Sequence, residues 1–223
     1  MNATASGSNR LICFGDSITQ GVDLPINQHW PTVLAACLKN VGSPIADVYV
    51  KGVGGNTAAL AMDRINADLG PLLPAIVLVE FGINDAYVNP WAQQPRSSLE
   101  NFVTHMESII CYIRAARGKP YFVGHHPLVS HTHKHLQGNR RSIVENLKPY
   151  TWALEGLAIK LDVPLLDLHS ELGSEFCASL HPDGIHLAGA SSALYGEAVF
   201  RCLQKVVGLP SQSNPATALP DYA

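Results

Sequence analysis

The sequence lacks long hydrophobic runs, paired cysteine motifs and an excess of positive charge, and these absences narrow its possible functions. No stretch approaches the ~20 consecutive apolar residues that a membrane-spanning helix needs, so we expect no membrane insertion. The net charge of −3 argues against nucleic acid or an anionic membrane as the main partner. No C-x-x-C pair occurs, which excludes zinc-ribbon and thioredoxin-like motifs. The cysteines are scattered over the chain as Cys13, Cys37, Cys111, Cys177 and Cys202.

A secretory signal is also missing from the sequence. Residues 1–10 are small and polar and contain no apolar segment of the kind that signal peptides carry. The odd number of cysteines, most of them in apolar surroundings, is typical of buried free thiols and favours a reducing compartment. The sequence therefore predicts a cytoplasmic protein. A signal removed beforehand would leave the same pattern, which keeps secretion open as an alternative.

Length and composition indicate one globular domain. The 223 residues are 47% hydrophobic and 15% charged, which suits a single α/β domain with a sizeable core. We place this domain at residues 10–208. We expect residues 1–9 to be flexible, and also residues 209–223, which are rich in Pro, Ser, Asn and Ala. The sequence does not indicate the oligomeric state.

Strand and helix patterns alternate five times along the chain, which predicts a three-layer α/β/α sandwich around a five-stranded, mostly parallel sheet. The predicted strands cover residues 10–14, 46–50, 75–81, 120–124 and 163–168. The predicted helices cover residues 30–38, 57–69, 97–116, 141–161 and 190–207. Pro149 lies inside the fourth helix and is expected to kink or split it. Residues 170–180 are expected to be irregular, with one helical turn.

The first predicted strand delivers polar residues to the edge of the sheet where ligands bind. The apolar run Leu11–Phe14 ends at Gly15 and is followed by Asp16 and Ser17. In open α/β sheets, ligands bind outside the carboxyl ends of the strands. A serine there can present its hydroxyl to a substrate. Taken alone, the same residues are equally consistent with a helix cap or a turn.

A glycine-rich loop follows the second predicted strand. Gly52-x-Gly54 begins like a dinucleotide-binding motif, but Thr57 stands where the third glycine is required, so we do not expect NAD binding. The loop is better explained by a close approach of its backbone to a ligand. Asn56 is the candidate cap of the helix that follows.

Two further polar segments supply the remaining parts of an acyl-transfer site. Asn84 follows the third predicted strand, and Asp183 and His186 lie three residues apart in a late loop. A serine hydroxyl needs a base to take its proton, and imidazole suits that role near neutral pH. A carboxylate must orient the imidazole, and the oxyanion needs N–H donors, which a glycine backbone and an asparagine amide can provide.

These segments resemble the ordered motifs of the SGNH-hydrolase family, also known as GDSL esterases and lipases, which includes lysophospholipase L1/thioesterase I-like enzymes. The resemblance covers about residues 10–207. It implies a flavodoxin-like fold and ester hydrolysis without a metal or cofactor. It further implies that Ser17 is the nucleophile, His186 the base and Asp183 the orienting acid. The resemblance assigns the oxyanion hole to the backbone N–H groups of Ser17 and Gly55 and the side chain of Asn84.

The substrate is less well defined than the chemistry. No long apolar lid is visible and the loops are polar, so we expect short, acetyl-like acyl esters of a small molecule. Longer-chain thioesterase or lysophospholipase activity, acyl transfer, and a binding module that has lost catalysis remain alternatives. We predict substrate contacts for Asp16, Trp91, His125 and His126. Asp16 has an alternative role in fixing its own loop.

Other histidines and one aspartate compete for the same roles. On spacing alone, His181 or His169 could also act as the base, and Asp167 is a rival acid whose position is more typical of a structural hydrogen bond. The alternating histidines at positions 131, 133 and 135 would project to one side of an extended segment, as metal ligands do. We expect a solvated or substrate-facing loop there and no functional metal.

Overall fold

The computed structural model describes residues 9–130 and 136–209, and its centre is one parallel sheet of five strands. The strands are β1 (Arg10–Gly15), β2 (Asp47–Gly52), β3 (Ile76–Glu80), β4 (Lys119–Val123) and β5 (Leu165–Leu166). All neighbouring pairs are parallel, in the order β2-β1-β3-β4-β5. This is the flavodoxin-like order, in which the chain reverses its direction of growth between β1 and β3. The predicted fold class is confirmed.

Helices cover both faces of this sheet. They are α1 (Ser17–Gln20), α2 (Trp30–Asn40), α3 (Ala58–Leu69), α4 (Ile83–Ala86), α5 (Leu99–Ala115), α6 (Ile143–Leu161), α7 (Leu168–Glu171), α8 (Ser174–Ala178) and α9 (Gly189–Val207). Helix α2 packs on α9, while α5 packs on both α3 and α6. These two groups form the outer layers of the sandwich, as the alternation of strands and helices predicts.

The central strands β1 and β3 are buried on both sides, which explains why each contains a run of consecutive apolar residues. Residues 11–15 of β1 and all of β3 are buried, whereas β2 at the sheet edge is only partly covered. Glu80 is the one charged residue of β3, and its side chain is 1% exposed. The core therefore lies around β1 and β3, the two strands that lead into Ser17 and Asn84.

Helix α6 corrects one expectation from the sequence. Pro149 does not split it, because α6 runs without a break from Ile143 to Leu161. A capping box at its start joins Ser142 and Glu145. One face of the helix, which includes Leu147 and Leu154, is buried against the core. Packing and capping together outweigh the hydrogen bond that proline cannot donate.

Three smaller features also differ from the sequence predictions. Strand β5 is only Leu165–Leu166, because Asp167 caps α7 immediately afterwards. The segment at 170–180, expected to be irregular with one helical turn, contains that turn as α8 and in addition the end of α7. Helix α3 is capped by Thr57, whose hydroxyl accepts from the Leu60 N–H, and not by Asn56.

The predicted flexible ends fall mostly outside the described residues. Residues 1–8 and 210–223 are not described, and Leu209, which we had placed in the tail, packs against the core. Among the residues that are described, no helix has the length and apolar character needed to cross a bilayer.

Candidate active site

The strand order brings three loops of the predicted site together. Gly15 at the end of β1 pairs with Gly52 of β2 on one side and Glu80 of β3 on the other. The loops that follow these strands therefore leave the sheet side by side, at the point where the strand order reverses. In this fold the crevice at that position is where ligands bind.

Ser17 is held by a short helix that starts directly after β1. It is the first residue of α1, and the Asp16 side chain caps that helix by accepting a hydrogen bond from the Ile18 N–H at 2.9 Å. The buried Trp30 indole donates to the Ile18 carbonyl oxygen at 2.9 Å and so anchors α1 to the core. The backbone N–H groups in the first turn of a helix have no acceptor within the helix. The N–H of Ser17 therefore has no acceptor within α1.

Ser17, His186 and Asp183 form one hydrogen-bonded chain. The Ser17 Oγ lies 3.1 Å from His186 Nε2, and His186 Nδ1 lies 2.7 Å from Asp183 Oδ2. Partial burial acts to raise the pKa of Asp183, but hydrogen bonds from the His186 side chain and from backbone N–H groups outweigh it and lower the pKa to about 2. An ionised carboxylate only accepts hydrogen bonds, so Nδ1 of the neutral ring carries the hydrogen. The lone pair of Nε2 is then directed at the Ser17 hydroxyl.

The Asp183 carboxylate also shapes its own loop. Its Oδ1 atom accepts from the backbone N–H groups of Ile185 at 2.8 Å and His186 at 2.9 Å. The rival histidine His181 lies beside it, with Nδ1 3.1 Å from Asp183 Oδ2. Of the two rings, however, it is His186 that contacts Ser17. The other rivals, His169 and Asp167, line a separate cavity, and the Asp167 carboxylate caps α7 by accepting from the Ser170 N–H.

His125 and His126, which we had predicted to contact substrate, are buried and hydrogen-bonded to the protein. The His125 Nε2 donates to the Phe81 carbonyl oxygen at 2.9 Å, and its Nδ1 lies 2.9 Å from the Thr151 hydroxyl. The His126 Nε2 donates to the Ile185 carbonyl oxygen at 2.9 Å, in the loop that carries Asp183. Burial lowers the pKa of each ring to about 4. Both histidines line the same separate cavity as His169 and Asp167, and neither lines the cavity that contains Ser17.

Asn84 stands next to Ser17 and is oriented by Asp16. The Asn84 Nδ2 donates to Asp16 Oδ2 at 2.9 Å. Burial raises the pKa of Asp16 to about 6. Burial, with the charge of Asp16 adding to the effect, also raises the pKa of the neighbouring Glu80 well above its usual value. The Thr19 hydroxyl donates to Glu80 Oε2 at 3.0 Å. Asp16 is thus a buried residue that orients Asn84. Glu80, which is buried beside Asp16, was not predicted from the sequence.

Arg96 is the other residue of the site that the sequence analysis missed. Its guanidinium donates through Nη1 to Asn84 Oδ1 at 3.1 Å and through Nη2 to the Gly55 carbonyl oxygen at 2.9 Å. Gly55 has φ of +75°, a left-handed conformation that glycine adopts without strain. Arg96 therefore joins the glycine loop after β2 to the segment after β3.

Ser17, Asn84, Arg96, Asp183 and His186 border one cleft of about 540 Å³, which we call the Ser17 cleft; Gly55 is not among the residues that line it. Both apolar and polar residues line it: Ser17, Ile83, Asn84, Tyr87, Asn89, Pro90, Arg96, Val129, Ser130, Leu136, Gln137, Ile143, Asp183, Ile185 and His186. Asp16 and Trp91 are not among the residues that line it, and the Trp91 side chain is 84% exposed. The substrate contacts suggested for these two residues stay predictions.

The described residues include no group of three or more His, Cys, Asp or Glu side chains that could hold a metal ion. The alternating histidines at positions 131, 133 and 135 lie outside those residues, so the metal alternative considered for them is not addressed by the structure.

Comparison with known proteins places these features in a family. The model of the GDSL-like lipase/acylhydrolase family matches residues 13–194. The chain is 25% identical to the GDSL esterase/lipase WDL1 of Oryza sativa subsp. japonica over 215 residues, which cover 91% of this chain and 80% of that protein. It is 31% identical to an arylesterase of Vibrio mimicus over 85 residues, 38% of this chain, and the match spans only 42% of the arylesterase.

A solved structure shows the same fold at lower sequence identity. It is a catalytic mutant of Axe2, an acetylxylan esterase from Geobacillus stearothermophilus, with a TM-score of 0.70 and 17% identity. The match covers 92% of this chain and 96% of the other. Since the family model spans most of the domain, the chain belongs to the GDSL-like lipase/acylhydrolase family and is a carboxylic ester hydrolase.

Proposed function

We propose that the protein hydrolyses short-chain carboxylic esters through an acyl-enzyme formed on Ser17. The observation that carries this proposal is the hydrogen-bonded chain from Ser17 Oγ through His186 to Asp183, with distances of 3.1 and 2.7 Å. Nucleophile and base within hydrogen-bond reach, with a third group orienting the base, is the arrangement that activates a serine hydroxyl.

The reaction has two halves that use the same groups. In the first, the Ser17 Oγ attacks the ester carbonyl while His186 Nε2 takes its proton and then delivers it to the departing alcohol. In the second, a water molecule gives a proton to His186 and attacks the acyl carbon, and the carboxylic acid leaves as Ser17 is regenerated. The Asp183 carboxylate holds Nδ1 protonated and stabilises the imidazolium form of His186 in both halves.

Three N–H groups form the proposed oxyanion hole. They belong to the backbone of Ser17, the backbone of Gly55 and the Asn84 side chain. The Ser17 N–H lies in the first turn of α1, without an acceptor inside the helix. The Asn84 Nδ2 uses one hydrogen toward Asp16 and retains a second for the substrate. Donors fixed in place before the reaction stabilise the tetrahedral intermediate without reorganisation.

The polar lining of the Ser17 cleft supports a small acyl group. Asn89, Arg96 and Gln137 interrupt its apolar surface, whereas a long acyl chain is best accommodated by a continuous apolar channel. The shared fold with a protein named acetylxylan esterase is consistent with this preference.

All five cysteines are free thiols, which supports the cytoplasmic location that we propose.

Hydrolysis of p-nitrophenyl esters from acetate to palmitate tests the proposal. We expect the highest kcat/KM at acetate or butyrate, and loss of activity in Ser17→Ala. Ser108→Ala is the matched control, because this half-buried serine of α5 donates its hydroxyl to the Thr104 carbonyl oxygen within its own helix and lies outside the Ser17 cleft. A fluorophosphonate probe should label the wild type and the control, but not Ser17→Ala.

The outcomes separate the alternatives. A maximum at long acyl chains would retain the mechanism and move the substrate to lipids or acyl thioesters. Activity that survives in Ser17→Ala would refute the nucleophile. Absence of both hydrolysis and labelling in the wild type would favour a binding module on the same fold.

A further inference from the structure

The geometry points to Arg96 as a positioning residue that holds two donors of the oxyanion hole, Asn84 and Gly55, in a fixed relation. This inference rests on the proposed function and adds a residue that the four sequence motifs do not contain. Arg96 donates to the side chain of one donor residue at 3.1 Å and to the backbone of the other at 2.9 Å.

The chemistry of the contacts determines how the Asn84 amide is turned. Arg96 has only donors, so the oxygen of the amide must face it, and the ionised Asp16 has only acceptors, so the nitrogen must face Asp16. An amide held on both sides cannot rotate its oxygen toward the substrate. Such an inversion would place a partial negative charge against the developing oxyanion.

Arg96 acts on Gly55 through its carbonyl group, which belongs to the peptide that follows the proposed N–H donor. It binds the Gly55 carbonyl oxygen, and Gly55 adopts the left-handed conformation with φ of +75°. Beyond Gly55, the glycine loop is fixed to the β3 side by the Asp85 carboxylate, which accepts from the Ala58 N–H at 3.1 and 3.2 Å. Arg96 thus supplies a second tie at the end of the loop nearest the proposed oxyanion hole.

The backbone of Arg96 is itself anchored although its side chain is exposed. Its N–H donates to the Tyr87 carbonyl oxygen at 2.9 Å, and the next residue, Ser97, donates to the Asp85 carbonyl oxygen at 3.1 Å. These bonds close the loop between α4 and α5 and place the guanidinium at the cleft. Because the side chain is not part of the core, its replacement should alter the site and leave the fold intact.

Steady-state kinetics of Arg96→Gln and Arg96→Lys test this role. We expect kcat for p-nitrophenyl acetate to fall about 10- to 100-fold in both variants, with little change in KM, since losing an oxyanion donor outright costs more. Lysine retains the charge but lacks the planar fork that reaches two acceptors. Arg201→Gln, which removes an arginine paired with Glu171 away from the cleft, is the control and should keep the wild-type rate.

A second readout reports on the oxyanion directly. In a thiono ester the carbonyl oxygen is replaced by sulfur, whose anion is a poorer hydrogen-bond acceptor. The ratio of kcat/KM for the oxo ester to that for the thiono ester should therefore fall in both Arg96 variants and remain unchanged in Arg201→Gln. An unchanged ratio, or a wild-type rate in Arg96→Lys, would contradict positioning by the guanidinium fork.

Ser17→Ala, measured in parallel, separates this inference from the proposed function. Wild-type rates in Arg96→Gln together with an inactive Ser17→Ala would overturn the role of Arg96 alone. Equal rates for the wild type and Ser17→Ala would overturn the proposed function and, with it, the role of Arg96. Thermal unfolding of each variant, expected to match the wild type, excludes global destabilisation as the cause of a lower rate.

Discussion

Asp183 binds two parts of the molecule at once, because one carboxylate oxygen faces the His186 ring and the other faces the backbone of its own loop. We expect Asp183→Asn to lower kcat by about 10³- to 10⁴-fold, since an amide can donate to Nδ1 and favour the wrong tautomer of the ring. The steady-state rate with p-nitrophenyl acetate measures this effect.

Asp167→Asn is the matched control for that substitution. The Asp167 carboxylate caps α7 and lies outside the Ser17 cleft, so we expect wild-type kcat in this variant. If Asp167→Asn were the inactive variant and Asp183→Asn the active one, the orienting acid would be assigned wrongly.

The residues of the site differ in how far the sequence predicts them. Ser17 and Asn84 follow apolar strands, and the order of strands then places them side by side. Glu80 carried a usable signal, because a charged residue inside an apolar strand requires a buried partner. Arg96 carried none, since it lies in a polar loop and contacts Gly55, which is 41 residues earlier in the chain. Such contacts follow from loop geometry, which hydrophobic periodicity does not encode.

At the scale of elements, the segment that follows β4 contains a buried histidine that makes the stability of the fold depend on pH and that also contacts the loop of Asp183. The His126 ring donates to the loop of Asp183 and has a pKa lowered to about 4 by burial. Below about pH 6.5 the unfolded chain protonates this histidine while the folded protein keeps it neutral. Stability is therefore present above that pH and is lost as the pH falls toward 4.

The variant His126→Phe tests this coupling, because it preserves the ring contacts with Phe176 and Tyr195 but does not titrate. Between pH 6.5 and 4.5, its free energy of unfolding should fall less steeply than that of the wild type, by up to ~1.4 kcal/mol per pH unit. Urea unfolding at several pH values gives this slope.

His105→Gln serves as the control, since His105 is only half-buried on α5 and its ring bonds within its own helix. Its slope with pH should equal that of the wild type. A wild-type slope in His126→Phe as well would show that this buried ring does not contribute to acid sensitivity.

Helices and strands were predictable where burial follows a regular period. The apolar residues of α5 repeat at helical spacing and are buried, and β1 and β3 each contain an uninterrupted run of four apolar residues. The prediction of a longer β5 was wrong because Asp167 starts a helix directly after Leu166. Local capping decided that boundary, and the apolar pattern alone does not reveal it.

At the scale of the whole molecule, the same buried residue contacts both the core and the segment that carries Ser17. Trp30 is fully buried, packs on Tyr195 of α9 and holds the turn that carries Ser17. We expect loss of activity and loss of the buried Trp30 fluorescence signal to have the same midpoint in urea, as in a two-state transition. Enzyme activity and fluorescence measured on the same samples make the comparison.

Exposed tryptophans need a control in this experiment, because Trp91 is 84% exposed and Trp152 is 66% exposed. A variant with both replaced by phenylalanine should give the same midpoint with a simpler spectrum. Activity lost at a clearly lower urea concentration than fluorescence would instead show that the site opens before the core.

The hydrogen bond between Ser17 and His186 joins positions 169 residues apart in the chain. During synthesis the serine leaves the ribosome long before its histidine has been translated. A serine without a base is a poor nucleophile, so the growing chain carries an inert hydroxyl through most of translation. Under the mechanism that we propose, reactivity toward esters arises only when the second half of the domain has been made and has folded onto the first.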